Sequence, residues 1–247
     1  MDKVLYIASN GAKELMLAQS INANNLANAN TIGFREDLAF YQALQLSGEG
    51  HSSRAYVGLQ GQGADFAPGP LMTTGRDLDV AIRGEGWIAV QGADGTEAYT
   101  RAGDLLVTPA GLLTNTAGHP IIGNSGGPIT LPPHQKMEIG ADGTISIIPL
   151  GQEANTLAVV DRIKLVKPDN NQLEKSIDGL FRQKEGLAIP PNASVRLVSG
   201  TLESSNVNAV ESMVKTIELA RKFELQVKIM EQAKSMDEQS STIMKLS

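Results

Sequence analysis

The amino-acid sequence predicts an α+β protein in which both termini form one discontinuous helical coiled-coil domain and the middle forms an inserted, mostly antiparallel β domain. Apolar residues at both ends recur with the 3–4 spacing of an amphipathic helix. The middle instead breaks into short apolar runs bounded by Gly, Pro, Asp and Asn. We place the N-terminal helical part at residues 1–35, a connector at 36–75, the β domain at 76–200 and the C-terminal helical part at 201–247.

The N-terminal segment, residues 2–28, has the spacing of a helix with one apolar face. The stripe on this face consists of Leu5, Ala8, Ala12, Leu15, Gln19, Asn22 and Leu26. Five of the nine residues from 22 to 30 are asparagine, and each costs roughly 0.6 kcal/mol relative to alanine in a helix. We therefore expect this helix to need a packing partner. Asn24, Asn25 and Asn28 either cap a frayed helix end or form interhelical hydrogen bonds that set the register of an assembly.

The C-terminal segment becomes helical from Asn208 onward. Asn208 followed by Glu211 is typical of a capping box, which marks a helix start. The apolar stripe consists of Val210, Val214, Ile217, Ala220, Val227 and Met230. A helix over 208–236 would be about 43 Å long and one over 3–28 about 39 Å. We expect two helices of such similar length to cover each other's stripes.

The middle of the chain begins with a short helical pattern from Glu36 to Leu46, followed by a Gly- and Pro-rich extended connector. The pentapeptide Gly-Ala-Asp-Gly-Thr occurs at 92–96 and again at 140–144. An Asp-Gly pair between strand-like runs predicts a hairpin, because the turn needs positive φ. The strand-like runs are Leu78–Ile82, Trp87–Gln91, Leu105–Thr108, Ile145–Ile148, Leu157–Val160, Ile163–Val166 and Ala193–Leu197.

The composition argues against several functional classes. The net charge is −6 and the 21 Lys and Arg residues are scattered, so no basic patch for nucleic acid is present. No cysteine is available for a disulfide or a thiolate metal site. The apolar runs are far shorter than the roughly 20 residues of a bilayer span, which predicts no membrane insertion. The N-terminal residues lack the pattern of a cleaved secretory signal, and the default expectation from composition is a cytoplasmic protein.

Candidate cofactor and metal sites are weak. Gly84, Gly86 and Ala89 match G-x-G-x-x-A, but the following residues continue as a strand rather than a helix, so we expect a turn and no dinucleotide site. The histidines lie in Gly- or Pro-rich segments without a second ligand at a suitable spacing, and we expect no bound metal. These histidines are His51, His119 and His134.

Two acidic residues leave an enzymatic alternative open. Asp77 and Asp79 share one face of a strand, as a carboxylate pair for glycoside or peptidoglycan cleavage would. A turn or edge role for these residues is the simpler interpretation. A stand-alone binding module built on the β domain is a third possibility. We expect no catalytic residue and no cofactor.

Four sequence blocks resemble, in the same order, those of the flagellar axial proteins of the rod and hook family. They are ANNLANANTIGFR at 23–35, TGRDLDVAIRGEGW at 74–87, YTRAGD at 99–104 and GTLESSNV at 200–207. The opening MDKVLYIA and the modest length look most like the proximal rod type, with the distal rod type as the alternative. Trp87 stands where the family often has phenylalanine.

The resemblance implies a structural subunit of the flagellar basal-body rod that is not an enzyme. It implies export by the flagellar type III apparatus without a cleaved signal, which replaces the cytoplasmic default with a periplasmic rod. The implied partners are copies of the chain and other rod proteins, assembled helically into part of the drive shaft and export channel. The residues assigned to the assembly interface are Leu5, Ala8, Ala12, Leu15, Asn22, Asn25, Leu26, Asn28, Val210, Val214, Ile217, Ala220, Val227 and Met230.

Overall fold

The computed structural model describes residues 2–45, 55–151 and 157–245. Helix α1 spans Asp2–Ala27, helix α2 spans Ala209–Lys245, and a short 3-10 turn spans Asn170–Gln172. The strands are β1 (Asp37–Gln45), β2 (Ala55–Ala64), β3 (Leu71–Thr73), β4 (Val80–Arg83), β5 (Trp87–Gln91), β6 (Glu97–Thr100), β7 (Leu105–Val107), β8 (Leu113–Asn115), β9 (His134–Ile139), β10 (Thr144–Pro149), β11 (Ala158–Arg162), β12 (Leu165–Val166), β13 (Leu173–Lys175), β14 (Phe181–Gln183), β15 (Arg196–Ser199) and β16 (Thr201–Glu203). The predicted α+β class, with a helix at each end and a mostly antiparallel middle, is confirmed.

The chain divides into two compact units. The first comprises residues 1–29, 36–65 and 207–247, and the second comprises 30–35 and 66–206. The backbone therefore passes from one unit to the other four times along the sequence.

In the first unit, α1 and α2 lie side by side and antiparallel. Asn22 contacts Ser212 near the start of α2, whereas Gly11 lies against the side chain of Gln226 further along it. The earlier residue of α1, Gly11, therefore meets the later residue of α2, Gln226, which shows that the two helices run in opposite directions. The packing partner that the asparagine-rich α1 was expected to need is α2.

The start of α2 is set by Asn208. Its Oδ1 accepts hydrogen bonds from the backbone N–H groups of Val210 at 3.1 Å and Glu211 at 3.3 Å. These bonds satisfy N–H groups that have no partner within the helix, so the predicted N-cap is confirmed.

The first unit also contains an antiparallel hairpin of β1 and β2. The helical pattern predicted from Glu36 to Leu46 is wrong, because residues 37–45 form β1; Leu46 lies outside the described residues. The sequence Asp-Leu-Ala-Phe-Tyr-Gln-Ala-Leu-Gln carries apolar side chains at spacings that suit either structure. Its aromatic residues favour a strand once a partner strand is present, and β2 supplies that partner.

The second unit contains a five-stranded sheet in the order β12-β5-β6-β14-β13 and a three-stranded sheet in the order β11-β10-β9. Short pairs β15–β4, β16–β3 and β7–β8 complete it. The core is formed mainly by aliphatic side chains. They alternate with half-buried residues along β10, whereas all of β8 and the first four residues of β5 are buried. Its largest fully buried aliphatic members are Ile88, Leu105, Leu113, Ile121, Ile129, Ile145, Ile147 and Ile163.

The repeated pentapeptide forms the same turn twice, at 92–96 between β5 and β6 and at 140–144 between β9 and β10. In both turns the first residue donates its N–H to the carbonyl of the fifth at 2.8 Å. The aspartate side chain accepts a hydrogen bond from the threonine N–H. In each turn only the second glycine has positive φ, +80° at Gly95 and +88° at Gly143. The two predicted hairpins are confirmed, and residues 176–180 form the same turn with a different sequence.

The predicted strand Trp87–Gln91 is found with the same bounds, and it follows the expected turn at Gly84. The other predicted runs correspond to strands with shifted ends, and short strands such as β6, β13 and β14 were not predicted. None of the helices in the described ranges combines the length and the apolar composition that a bilayer-spanning segment requires.

Candidate assembly interface

Helix α2 presents two faces with different surroundings. Toward α1 it places Ser212, Leu219 and Ala233, which are buried. On the opposite face, large apolar side chains that are between 53% and 70% exposed lie close together: Val210, Met213, Val214 and Ile217. We call these four residues the α2 outer patch. Contiguous apolar surface of this kind is typical of a protein interaction site.

The residues assigned from the sequence to the assembly interface fall into two groups. Those of the N-terminal segment are all buried or half-buried. Ala8, Ala12, Asn22 and Asn25 are buried, and Leu5, Leu15, Leu26 and Asn28 are half-buried. In α2, Ala220, Val227 and Met230 are half-buried, whereas Val210, Val214 and Ile217 are exposed.

The expectation that the two apolar stripes cover each other is therefore wrong for the first turns of α2. The side of α2 that meets α1 there carries Ser212 and Thr216, which have no apolar periodicity to mark them. The strongly apolar side faces away. The side of α2 that packs against Asn22 carries small and hydroxyl-bearing residues, because these allow close contact and the hydrogen bonds that Asn22 makes.

Asn22 links the two helices directly. Its Nδ2 donates hydrogen bonds to the Ser212 carbonyl at 2.7 Å and to the Thr216 hydroxyl at 2.8 Å. The Thr216 hydroxyl in turn donates to the Ser212 carbonyl at 2.9 Å. Since only 1% of Asn22 is exposed, sliding α1 along α2 would leave these polar groups buried without partners, and the contact sets the register of the pair.

Asn25 joins α1 to the hairpin. Its Nδ2 donates to the Asp37 carbonyl at 2.9 Å, and its Oδ1 accepts from the Asp37 N–H at 2.8 Å. Asn28 donates to the carbonyl of Asn24 at 2.9 Å within its own helix end. Asn22 therefore bonds to the other helix, whereas Asn25 holds the first residue of β1.

The hairpin places titratable groups beside the helices. Burial raises the pKa of Glu36 above its ordinary range, and Lys215 of α2 partly offsets this effect. Burial also raises the pKa of Tyr41, with the negative charge of Glu14 in α1 adding to the shift. These shifts follow from desolvation and from neighbouring charge, so the pKa values report on the contact between the hairpin and the helix pair.

The second unit contains a buried ion cluster that the sequence analysis missed. The Glu203 carboxylate accepts from Arg35 Nη2 at 2.5 Å and from Arg101 Nη1 at 2.9 Å. All three side chains are at most 5% exposed, and both guanidinium groups lie over the Trp87 ring, at 5.9 Å and 5.4 Å from its centroid. Burial lowers the pKa of Arg101, and the Glu203 charge opposes that shift.

This cluster brings the four family-like sequence blocks together. Arg35 comes from the first block, Trp87 from the second, Arg101 from the third and Glu203 from the fourth. Their separation along the chain hides the cluster from any local pattern. The sequence offered one signal for this cluster, namely that charged residues recur inside blocks made otherwise of apolar or small residues.

The contacts of Asp79 tie it to neighbouring chain segments, as expected for a residue with a structural role. Its Oδ2 accepts from the Thr74 hydroxyl at 2.6 Å, its Oδ1 lies 3.6 Å from Arg76 Nη1, and its backbone carbonyl accepts from the Gly200 N–H at 2.7 Å. No group of three or more His, Cys, Asp or Glu side chains suited to a metal ion occurs among the described residues. His51 lies outside those residues.

Comparison with known families defines the class of protein. Residues 5–35 match the family model described as flagella basal body rod protein, 81–147 match the flagellar hook protein FlgE/F/G D1 domain, and 198–243 match the flagellar basal body rod FlgEFG protein C-terminal model. The three matches include most of both helices and part of the inserted β structure. The class is that of flagellar axial proteins.

Individual relatives narrow the class. Flagellar basal-body rod protein FlgF of Salmonella typhimurium is 45% identical over 235 residues, covering 93% of each chain, and FlgF of Escherichia coli is 43% identical with the same coverage. Flagellar basal-body rod protein FlgG of Bacillus subtilis is 29% identical, covering 93% of this chain and 94% of its own. The chain therefore belongs to the flagellar basal-body rod protein FlgF family, and it is a structural protein rather than an enzyme.

Proposed function

We propose that this chain is a structural subunit of the proximal rod of the bacterial flagellar basal body, where it assembles with copies of itself and with other rod proteins. The observation that carries the proposal is the 45% identity to FlgF over 93% of both chains. The family-model matches at 5–35 and 198–243 include most of both terminal helices. The lower identity to FlgG favours the proximal over the distal part of the rod. The chain forms part of the drive shaft and of the export channel.

The α2 outer patch is the surface through which we propose that subunits contact one another. Its four side chains face away from α1, so a coiled-coil contact with a neighbouring subunit's helices uses a face that the monomer leaves uncovered. Fully burying one such side chain contributes about 1.5–3 kcal/mol, so covering four half-exposed ones contributes about 3–6 kcal/mol. Association itself costs about 4–15 kcal/mol. Over most of these ranges the patch contributes less than association costs, so one patch joins two free monomers only weakly. Several contacts per subunit in a growing rod overcome the cost.

We also propose that the chain reaches the rod through the flagellar type III export apparatus without a cleaved signal, and that the rod it joins lies in the periplasm. The resemblance to rod and hook proteins supports both statements. An assembly contact that joins two free subunits only weakly also suits an exported protein, because polymerisation before export would block the channel.

The experiment is complementation of a strain that has lost swimming because its own FlgF-type gene has been deleted. The unchanged chain should restore basal bodies and swimming. A Val214→Glu, Ile217→Glu double variant changes the outer patch and leaves the inner face intact, so we expect a normal helical circular dichroism spectrum and no restored rods. The matched control is Lys222→Glu, at an exposed α2 position outside the patch, which should restore swimming. Normal rods from the double variant would refute assembly through this patch.

A further inference from the structure

All four passages of the backbone between the two units begin or end in three short segments of the second unit: 30–35, 66–71 and 201–206. We call these the junction segments. Force carried along the covalent chain from the first unit to the second enters through them. How they are held to one another within the second unit therefore decides how such force is distributed.

The segment 201–206 lies between the other two and is bonded to both. The Gly33 N–H donates to the Glu203 carbonyl at 2.8 Å, and the Ser204 N–H donates to the Pro70 carbonyl at 2.9 Å. The backbones are so close that a Cβ added to Gly69 would lie 2.0 Å from the Ser204 carbonyl oxygen. Only glycine permits this approach.

One carboxylate touches all three junction segments. Glu203 Oε1 accepts from Arg35 Nη2 and from the Gly69 N–H, the latter at 3.0 Å, while Oε2 accepts from Arg101 Nη1. Arg101 also donates to the Gly84 carbonyl at 2.7 Å, which ties the cluster to the rest of the second unit. We call Arg35, Gly69, Arg101 and Glu203 the junction node.

A contribution to folding stability does not by itself explain why charged residues occupy this buried position. Two positive charges and one negative charge are buried together, and well-packed apolar residues of similar volume often stabilise a fold equally well or better. What apolar residues cannot provide is short, directional, charge-assisted bonding between separate backbone segments. The node provides that bonding at the place where the chain enters the second unit.

We propose that the junction node transmits torque: it makes the three junction segments share mechanical force while the rod rotates. This inference rests on the proposed function, because only a subunit of a rotating shaft is loaded in this way. With the node intact, force arriving on any one segment is shared by the bonds to the other two and by Arg101. Without the Arg35 side chain, segment 30–35 loses its hydrogen bond to the Glu203 carboxylate. This segment then separates from the other two at a lower force.

The test uses the full-length chain in the complemented deletion strain. Arg35→Met removes one arm of the node but leaves Glu203 paired one-to-one with Arg101, so no uncompensated buried charge results. Arg35→Lys keeps the charge and loses the planar fork. The matched control is the double variant Glu97→Gln, Lys164→Met, which removes a buried ion pair of the second unit, Lys164 with Glu97 at 2.8 Å, without leaving either charge unpaired. This pair touches no junction segment. Swimming speed is measured in media of rising viscosity, and basal bodies are counted by electron microscopy.

We expect all three variants to build basal bodies. The Arg35→Met strain should lose speed more steeply with viscosity than wild type and should show broken rods. Arg35→Lys should be intermediate, and the Glu97→Gln, Lys164→Met double variant should follow wild type. Identical load curves for Arg35→Met and the Glu97→Gln, Lys164→Met double variant would overturn the inference. So would a failure of Arg35→Met to build rods combined with a wild-type load curve for Arg35→Lys. If the unchanged chain restores no basal bodies, the proposed function itself fails.

Discussion

Replacing Glu203 by glutamine probes the ion cluster through its single negative charge. The substitution preserves the shape of the side chain but leaves the buried guanidinium groups of Arg35 and Arg101 without a counter-charge. Removing one partner of a buried ion pair costs about 3–5 kcal/mol, because the remaining charge is left desolvated and unpaired. For a unit of this size each kcal/mol lowers the melting temperature by about 2–4 °C. We therefore expect Glu203→Gln to lower the melting temperature of the second unit by about 6–20 °C.

The same reasoning predicts an asymmetry between the members of the cluster. Arg35→Met removes a positive charge and leaves a balanced pair, so it should cost about 1.5–3 kcal/mol, the contribution of one hydrogen bond to a charged group. Glu138→Gln disrupts the exposed pair with Lys136, whose side chains are both about half exposed. It should change stability by at most about 1 kcal/mol.

Differential scanning calorimetry of the full-length variants measures these losses. Glu203→Gln should cost most because it alone leaves buried charges unpaired. Arg35→Met should cost more than Glu138→Gln because it removes a buried hydrogen bond to a charged group, whereas Glu138→Gln changes an exposed pair. If Glu203→Gln destabilises the protein no more than Arg35→Met, the claim that the two arginines depend on one carboxylate is refuted.

Three further predictions concern the turns, the helix pair and the hairpin. Gly179→Ala, where φ is +79° and space for a Cβ is open, should cost about 1–2 kcal/mol in thermal unfolding, whereas Gly127→Ala, in open space without positive φ, should be nearly neutral. Asn22→Ala should destabilise the helix pair by about 1–3 kcal/mol in denaturant titrations followed by circular dichroism; an equal loss in Asn24→Ala would contradict a specific role for Asn22. Because the pKa of Glu36 is raised in the folded state, ionising it opposes folding. The stability of wild type relative to Glu36→Gln should therefore fall as the pH rises from the ordinary carboxyl range through the raised pKa, and a pH-independent difference would disprove this.

The elements that sequence reasoning predicted well are those determined by near neighbours. Both terminal helices follow from 3–4 spacing. The start of α2 follows from the cap residue Asn208, which lies only two and three residues before the N–H groups that it satisfies. The hairpins at 92–96 and 140–144 follow from turn chemistry contained within five residues. The strand β1 was predicted as a helix because its apolar residues suit both periods, and the deciding factor was the partner strand β2.

The candidate interface was only partly accessible from the sequence. Apolar periodicity placed Val210, Val214 and Ile217 on one face of α2, but that face is exposed and lies away from α1. Periodicity identifies which residues share a face but carries no information about what that face meets. The covered side carries Ser212, Leu219 and Ala233, and Ser212 there accepts a hydrogen bond from Asn22, a residue 190 positions away.

By itself the sequence determined the α+β class, the helices at both ends, the two repeated turns and the family, because each depends on residues close together or on blocks read in order. The tertiary structure alone decided which face of α2 is covered, that residues 37–45 form a strand, and that Arg35, Arg101 and Glu203 share one buried site. Glu203 lies 168 positions from Arg35 and 102 from Arg101. Such contacts depend on how the whole chain packs, and burial then makes each of them energetically decisive by removing the solvent that would otherwise satisfy these groups.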